Sequence, residues 1–155
     1  MTKVKNGDLD KLGLLYERHK GKLFGFFYNL GNNPSVSEDL VQNVFVRILK
    51  YRKSYKGEGS FASWMFSMAR NINYDHHIKV SKQKISREIA PEDAEMGSED
   101  SLNEAIEQNG NAIMLRKALA LLPKDKKEVL LLSKYRELKL NEVAEILGCT
   151  EGAVK

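Results

Sequence analysis

An all-α chain is expected here, with two small helical domains joined by a flexible acidic linker and a helix-turn-helix in the second. Three observations lead to this. Apolar residues recur at three- and four-residue spacing through several separate segments, the period of a helix with one buried face. Between two groups of such segments lies Glu88–Gly110, which holds eight acidic residues and no basic one. Few large apolar side chains and a run of like charge give that stretch little to fold around. The last sixteen positions, Leu140–Lys155, set a small residue, a glycine and an apolar closing residue where a tight helix pair needs them. Residues 1–80, 81–110 and 111–155 are then first domain, linker and second domain.

The totals narrow the class. At 155 residues and 42% hydrophobic content, each domain has a modest core. A single cysteine, Cys149, excludes an intrachain disulfide and suits a reducing compartment. No apolar run nears the roughly 18 residues of a membrane span. The start, MTKVKNGDLDKL, lacks the apolar core of a signal peptide. A cytoplasmic protein without membrane insertion is expected. The net charge of +4 is unevenly spread: Met1–Arg87 carries 16 basic and 7 acidic residues, Asn111–Lys155 nine and six. Basic blocks suit a polyanion. A solvated surface would look the same, so charge alone does not decide.

The first helix is expected over Asp8–Leu30, with Leu9, Leu12, Leu15, Tyr16, His19, Leu23, Phe26 and Leu30 on its stripe, ended by Gly31-Asn32-Asn33-Pro34. His19 is read as packed. His76 and His77 are adjacent, point about 100° apart on a helix and cannot share an ion. A second helix starts at Ser35, where Ser35-Val36-Ser37-Glu38 fits a capping box. Leu40, Val41, Val44, Phe45, Ile48 and Tyr51 make its core face. The opposite face carries Asp39, Gln42, Asn43, Val46 and Lys50, with Leu49 at the edge. Val46 and Leu49 are apolar on a solvent side, as in a docking patch or as two scattered surface residues.

Between this helix and the next, Arg52, Lys53 and Lys56 interleave with Tyr51 and Tyr55, ahead of Gly57 and Gly59. Cations neutralise phosphates and aromatic faces stack unpaired bases. A plain solvated loop has the same composition. The third helix runs from an N-cap at Ser60 to about Lys79. Phe61, Trp64, Met65, Met68 and Ile72 make its core side. Ser63, Ser67, Arg70, Asn71, Tyr74 and His77 make the other, fit to follow a DNA backbone, with Arg70 and Lys79 on phosphates and Asn71 near a base edge. Asp75 is expected to accept hydrogen bonds, not to catalyse.

A short helix is possible over Ser101–Gln108. In the second domain, Ile113, Leu115, Ala118, Leu119 and Leu122 line a helix that stops before Pro123. Asp125 caps the next, with Val129, Leu130, Leu132, Ser133 and Tyr135 along it. In the final motif Ala144 allows a close crossing, Gly148 makes the turn, Thr150 caps the second helix and Val154 closes the core. A plain helical hairpin is the alternative to a helix-turn-helix.

Taken together, SEDLVQNVFVRILKYRKSYKGEGSFASWMFSMARNINYDH, LRKALALLPKDKKEVLLL and LNEVAEILGCTEGAVK resemble the extracytoplasmic-function group of bacterial RNA polymerase sigma factors. The resemblance implies that the first domain is region 2. Asp39, Gln42, Asn43, Val46 and Leu49 would dock on the clamp helices of the largest subunit of core RNA polymerase. Arg52, Lys53, Tyr55, Lys56, Ser60, Phe61, Ser67, Arg70, Asn71 and Tyr74 would melt and hold the minus-10 element of promoter DNA. The second domain would be region 4, holding the flap of the second large subunit and reading the minus-35 element through Thr150, Glu151, Gly152 and Lys155. An anti-sigma factor is a further implied partner. The family carries more base-reading residues after this point, so the chain is expected to stop within the recognition helix.

No catalytic residues, metal ligands or cofactor are implied. A nuclease would need carboxylates or His and Cys clustered near the basic face, whereas the densest carboxylates lie in the linker. The alternative is a helix-turn-helix regulator that never meets polymerase, which leaves the aromatic and basic helices of the first domain unexplained.

Overall fold

Side-chain hydrogen bonds at Asn33, Ser60 and Glu142 set three helix starts among the described residues, while others begin without one. The computed structural model describes residues 1–89, 110–134 and 138–155. Among them are eight α-helices, one 3-10 turn and no strand. A short helix that the periodicity did not suggest, α1 (Thr2–Lys5), buries Val4 completely, and Lys5 Nζ donates to Tyr55 O at 2.6 Å. Next, α2 (Asp10–Asn29) buries His19, Leu23, Phe26 and Phe27. Leu9 lies before it and is half exposed.

The following helix, α3 (Pro34–Tyr51), does not start with the expected capping box. Asn33 is the cap: its Oδ1 accepts from Val36 N–H at 2.8 Å, and Pro34 takes the first helical position. Proline has no N–H to leave unpaired and its φ is already helical, so the start moves upstream of Ser35. The Ser37 hydroxyl donates to Asn33 O at 2.8 Å and is buried. Leu40, Val41, Val44, Phe45 and Ile48 point inward as expected, but Tyr51 is exposed. It stands where α3 gives way to the 3-10 turn Arg52–Ser54, and Lys50 Nζ lies over its ring.

The longest element is α4 (Phe61–Ile89). Ser60 caps it as expected, its hydroxyl accepting from Ser63 N–H at 3.1 Å. It does not stop near Lys79. Val80–Ile89 contains neither glycine nor proline before Pro91 and is rich in good helix formers, so nothing breaks the ladder. Residues 81–86 are solvated. The rest of the expected linker, the possible helix over Ser101–Gln108, and Tyr135 lie outside the described residues. On the inner side of α4, Ala62, Met65, Phe66, Ala69 and Ile72 are buried. Phe66 meets Phe26 edge-on at 5.4 Å, and Asn73 Oδ1 accepts from Asn32 Nδ2 at 2.9 Å. That same Nδ2 also reaches Phe27 O at 2.9 Å, so the buried turn after α2 is tied to the middle of α4.

The second half holds α5 (Gly110–Ala120), α6 (Lys124–Ser133), α7 (Leu140–Leu147) and α8 (Glu151–Val154). In α5, of the expected stripe, Leu119 is buried and Leu115 is half exposed. Pro123, not Asp125, stands at the N-cap of α6, with Asp125 in its first turn. Leu131 and Leu132 go inward while Leu130 stays half exposed. The α7–α8 pair is the expected helix-turn-helix. Gly148 takes a left-handed φ of +70°, which a side chain would resist, and Cys149 N–H closes the turn on Ala144 O at 3.0 Å. Thr150 is at the N-cap of α8 but makes no side-chain capping bond. Val154 is buried against the motif.

The two halves do not keep separate cores. One apolar cluster runs from Leu23 and Phe26 through Met65 and Phe66 to Leu119, Leu132, Val143, Ile146 and Val154. It is continuous because α4 packs on α7, and α2 on α6. Phe66→Ala should therefore cost about 3–5 kcal/mol, since it empties a full aromatic volume from the shared core. Leu130→Ala should cost less than about 1 kcal/mol. Urea unfolding of both variants measures the difference, and similar losses would contradict this packing.

Candidate nucleic-acid interface

The inner face of α4 is fixed by core packing, so its outer face is fixed too. Ser67, Arg70, Asn71 and Tyr74 fall at i, i+3, i+4 and i+7 and form one stripe. Asn71 and Tyr74 are exposed, and the Ser67 hydroxyl donates to Ser63 O at 3.0 Å. Ser63, expected on this face, is buried.

The loop before α4 divides its residues between surface and interior. Lys53 and Lys56 are exposed. Arg52 is half-buried and donates from Nη1 to Leu49 O at 2.8 Å. Tyr55, expected on the nucleic-acid side, is buried: its ring packs on Trp64 at 5.2 Å and edge-on to Phe61 at 6.2 Å. His19 joins this aromatic group, edge-on to Phe61 at 5.3 Å, as a packed histidine should. Alternating composition did not reveal that one tyrosine would turn inward, because the choice depends on Trp64 and Phe61 of the next helix.

On α3, Asp39, Gln42, Asn43 and Val46 share one solvent face, with Leu49 half-buried beside them. Val46 is 63% exposed on that face. A cleft of about 410 Å³ opens beside it between α3 and α4, bordered by Asn43, Arg47, Tyr51, Asp75 and Lys79. Asp75 and Arg47 pair across the helices at 3.4 Å, the structural role expected for Asp75. At the other end of the chain Thr150, Glu151, Gly152 and Lys155 are all exposed, with Lys155 paired to Glu151 at 3.0 Å. Among the described residues no group of three or more His, Cys, Asp or Glu is arranged to hold a metal ion, and no helix is long and apolar enough to cross a membrane.

Several contacts at this face come from the second half and have no signal in local periodicity. Arg70 Nε donates to Glu128 Oε2 at 2.9 Å, and its Nη1 reaches Ile146 O at 3.4 Å. Glu142 Oε1 accepts from Ser60 N–H at 3.0 Å, while its Oε2 accepts from Lys139 N–H at 2.8 Å. Lys124 Nζ lies over the Tyr74 ring, 5.4 Å from its centre. Burial alone would raise the Glu142 carboxyl. The Lys139 N–H, the side chain and N–H of Ser60, and the Lys139 charge outweigh it, so its pKa falls below the usual glutamate value. His77, next along the stripe, is held below the ordinary histidine range by burial, then by His76 and Lys124. The one sequence hint of these contacts was a glutamate on the apolar side of α6 and another on that of α7, beside Leu131, Leu132, Val143 and Ile146.

Comparison with known proteins gives this arrangement its class. A Sigma-70 region 2 model matches residues 15–83, and a Sigma-70 region 4 model matches residues 112–155. The chain is 21% identical to the RNA polymerase sigma-H factor of Pseudomonas aeruginosa, spanning 100% of this chain and 84% of that protein. It is 26% identical to the ECF RNA polymerase sigma factor SigW of Bacillus subtilis, spanning 100% of this chain and 87% of that one. With the ECF RNA polymerase sigma factor BldN of Streptomyces coelicolor it shares 27% identity, over 100% of this chain and 59% of BldN. The fold is that of CnrH in complex with the cytosolic domain of CnrY (TM-score 0.69, 19% identity, 99% and 83% of the two chains). It is equally that of the sigma factor RpoE of Bartonella quintana in complex with the anti-sigma factor NepR (TM-score 0.68, 23% identity, 95% and 87%).

The chain belongs to the sigma-70 family of RNA polymerase sigma factors, and within it to the extracytoplasmic-function type, with regions 2 and 4. Such a factor directs RNA polymerase to promoters and is not an enzyme. The region 2 match disposes of the regulator that never meets polymerase.

The Glu142 carboxylate gives a test of this geometry. Its folded pKa is depressed, so its stabilisation is fully present above the unfolded value, roughly 4.3, and fades as pH falls through the folded one. Glu142→Gln keeps the shape and removes the charge. It should cost about 1 kcal/mol at pH 7, the gap between charged and neutral hydrogen bonds, and less at each step below roughly pH 4. A pH-independent cost would mean that the charge contributes nothing at Ser60 and Lys139.

Proposed function

We propose that α3 and the outer face of α4 divide the two jobs of region 2. Asp39, Gln42, Asn43, Val46 and Leu49 dock on the clamp helices of the largest subunit of core polymerase. Arg52, Lys53 and Lys56 of the loop, with Ser60, Ser67, Arg70, Asn71 and Tyr74, hold the minus-10 element as single strand. The observation that carries this reading is the stripe Ser67, Arg70, Asn71 and Tyr74, set opposite the core face of α4 and preceded in the chain by a loop that exposes the cations Lys53 and Lys56. Cations on phosphates give affinity, and an exposed tyrosine gives a stacking surface for an unpaired base. Tyr55 and Phe61 serve differently, as the packed support that fixes the loop against Trp64.

Residues 1–80 act as the docking and melting unit and 111–155 as the minus-35 unit, which also takes the polymerase flap. Residues 81–110 connect them, with the end of α4 projecting into the connector. Thr150, Glu151, Gly152 and Lys155 meet the minus-35 duplex. They stand at the start of α8, where a helix-turn-helix presents its first residues to base edges. An anti-sigma factor is a fitting partner, supported by RpoE, which is seen bound to one.

Docking is tested by Asp39→Arg and Val46→Glu. Each should weaken binding to core polymerase by about 2 kcal/mol if it stands at an interface centre, with circular dichroism unchanged. Wild-type affinity in both would remove the docking role from α3. For the loop, Lys53→Ala with Lys56→Ala should lower affinity for a minus-10 oligonucleotide and flatten its salt dependence, by about 0.7 in slope for each phosphate no longer neutralised. An unchanged slope would make the loop a solvated turn.

A further inference from the structure

We propose that the short first helix, α1, belongs to the minus-10 machinery, with Lys5 a positioning residue that holds the cation loop in place through Tyr55 and touches no DNA itself. This rests on the reading of that loop given above. The region 2 match begins at residue 15 and leaves α1 without an assigned role. A helix of four residues does not hold itself, because nucleation is costly and one hydrogen-bonded turn returns little. The order of α1 comes from what it packs on, which is α2 and the 3-10 turn Arg52–Ser54. Val4 is fully buried. Among the described residues, Val4 and Tyr55 are the two buried apolar side chains that the shared core cluster does not include. One lies in α1, and the other directly follows the turn on which α1 packs.

The polar link is Lys5. Its Nζ donates to Tyr55 O at 2.6 Å, at the C-terminal end of the run formed by α3 and the 3-10 turn. Carbonyls at such an end lack intrahelical partners, and a cation is favoured beside them. Tyr55 O and Lys56 N–H belong to one rigid peptide plane. Holding the oxygen therefore fixes the direction in which the chain leaves toward Lys56. Residues 56–59 give little support of their own: all are exposed, and Gly57 and Gly59 take left-handed φ values of +81° and +71°. The Tyr55 ring is held separately, by Trp64 and Phe61. Ring packing fixes the side chain, and Lys5 fixes the plane that aims Lys56.

A loop ordered before DNA arrives loses less conformational freedom on binding. Lys5→Met removes the donor and keeps the length and apolar stem of the side chain. It should weaken binding of a single strand about three- to tenfold, the size of ordering one residue's backbone. A lysine that touched phosphate would behave differently, since its loss would lower the salt slope by about 0.7. Loss of a positioning contact leaves the slope alone, because Lys53 and Lys56 still reach the same phosphates.

The experiment titrates labelled oligothymidine into full-length wild type, Lys5→Met, Lys5→Arg, Lys3→Met and a double variant, Lys53→Ala with Lys56→Ala, over a series of salt concentrations. Cations and stacking aromatics bind single strands of any sequence, so this probe reads the loop. In parallel, acrylamide quenching of Trp64, the only tryptophan of the chain, reports the packing of the Tyr55 ring in the free protein. The expected result for Lys5→Met is weaker binding with the wild-type slope, quenching and circular dichroism. Lys5→Arg, which still donates, should restore affinity, and Lys3→Met, the same charge change at an exposed position, should stay within about twofold of wild type. Equal losses in Lys3→Met and Lys5→Met would reveal a charge effect and overturn the positioning role. A slope lower by about 0.7 in Lys5→Met would make Lys5 a phosphate contact and overturn it too. Stronger quenching there would mean that Lys5 only supports the aromatic packing, with the same consequence. Wild-type affinity in Lys5→Met beside weak binding in the double variant would overturn positioning and leave the loop's minus-10 role standing. Wild-type affinity in the double variant would remove the loop from DNA binding, and this inference with it.

Discussion

The ion pair between Arg70 and Glu128 sets how the two halves of this chain meet. Glu128 is 3% exposed, and a carboxylate so buried costs several kcal/mol unless its charge is answered. Arg70 answers it at 2.9 Å, yet the Arg70 side chain is itself 34% exposed. The pair is therefore dry at one end and wet at the other. Much of its attraction repays desolvation, and what remains is small. A contact of this kind fixes geometry firmly while closed and opens without a large penalty, because both ions regain water on separation. The apolar cluster across α4 and α7 adds affinity without direction; the ion pair and the Glu142 bond supply the direction.

The same economy runs along α4. One helix must anchor a core on Met65, Phe66, Ala69 and Ile72 and present Arg70, Asn71 and Tyr74 on its other side. Its two faces are not independent, since the Asn32–Asn73 amide pair and the Phe26–Phe66 contact set its rotation. A rotation that moved Arg70 into the place of Ala69 would bury a guanidinium and carry Ile72 to the exposed place of Asn71. The core of the first unit thus aims the stripe, and the turn after α2 contributes as much as α4 itself.

What could be read from the sequence follows from how far each feature reaches along the chain. Core faces, the Ser60 cap and the Gly148 turn depend on neighbours within a turn or two, and they are visible in spacing. Asn33 took the cap from Ser35 because Pro34 favours the first helical position, a local rule that the capping-box pattern hid. The run of α4 past Lys79 was equally local: charge suggested a linker, but charged residues without glycine or proline extend a helix readily. Tyr55 was different. Whether it faces water depends on Trp64 and Phe61, and alternation of tyrosine and lysine carries no trace of that. Glu128 and Glu142 were the least legible, since each pairs with a residue more than fifty positions away. Their only mark was a charge on the apolar side of a short helix.

That mark has a physical reason. Met1–Arg87 carries a balance of +9 and Asn111–Lys155 one of +3, so the two units repel each other at long range. At physiological salt this repulsion is screened beyond about 8 Å, and contact is decided by the charges that touch. In this chain two acids of the second unit touch the first at positive positions, Glu128 at Arg70 and Glu142 at the N-terminus of α4. One electrostatic demand, a negative group at each of these positions, is met by Glu128 and Glu142.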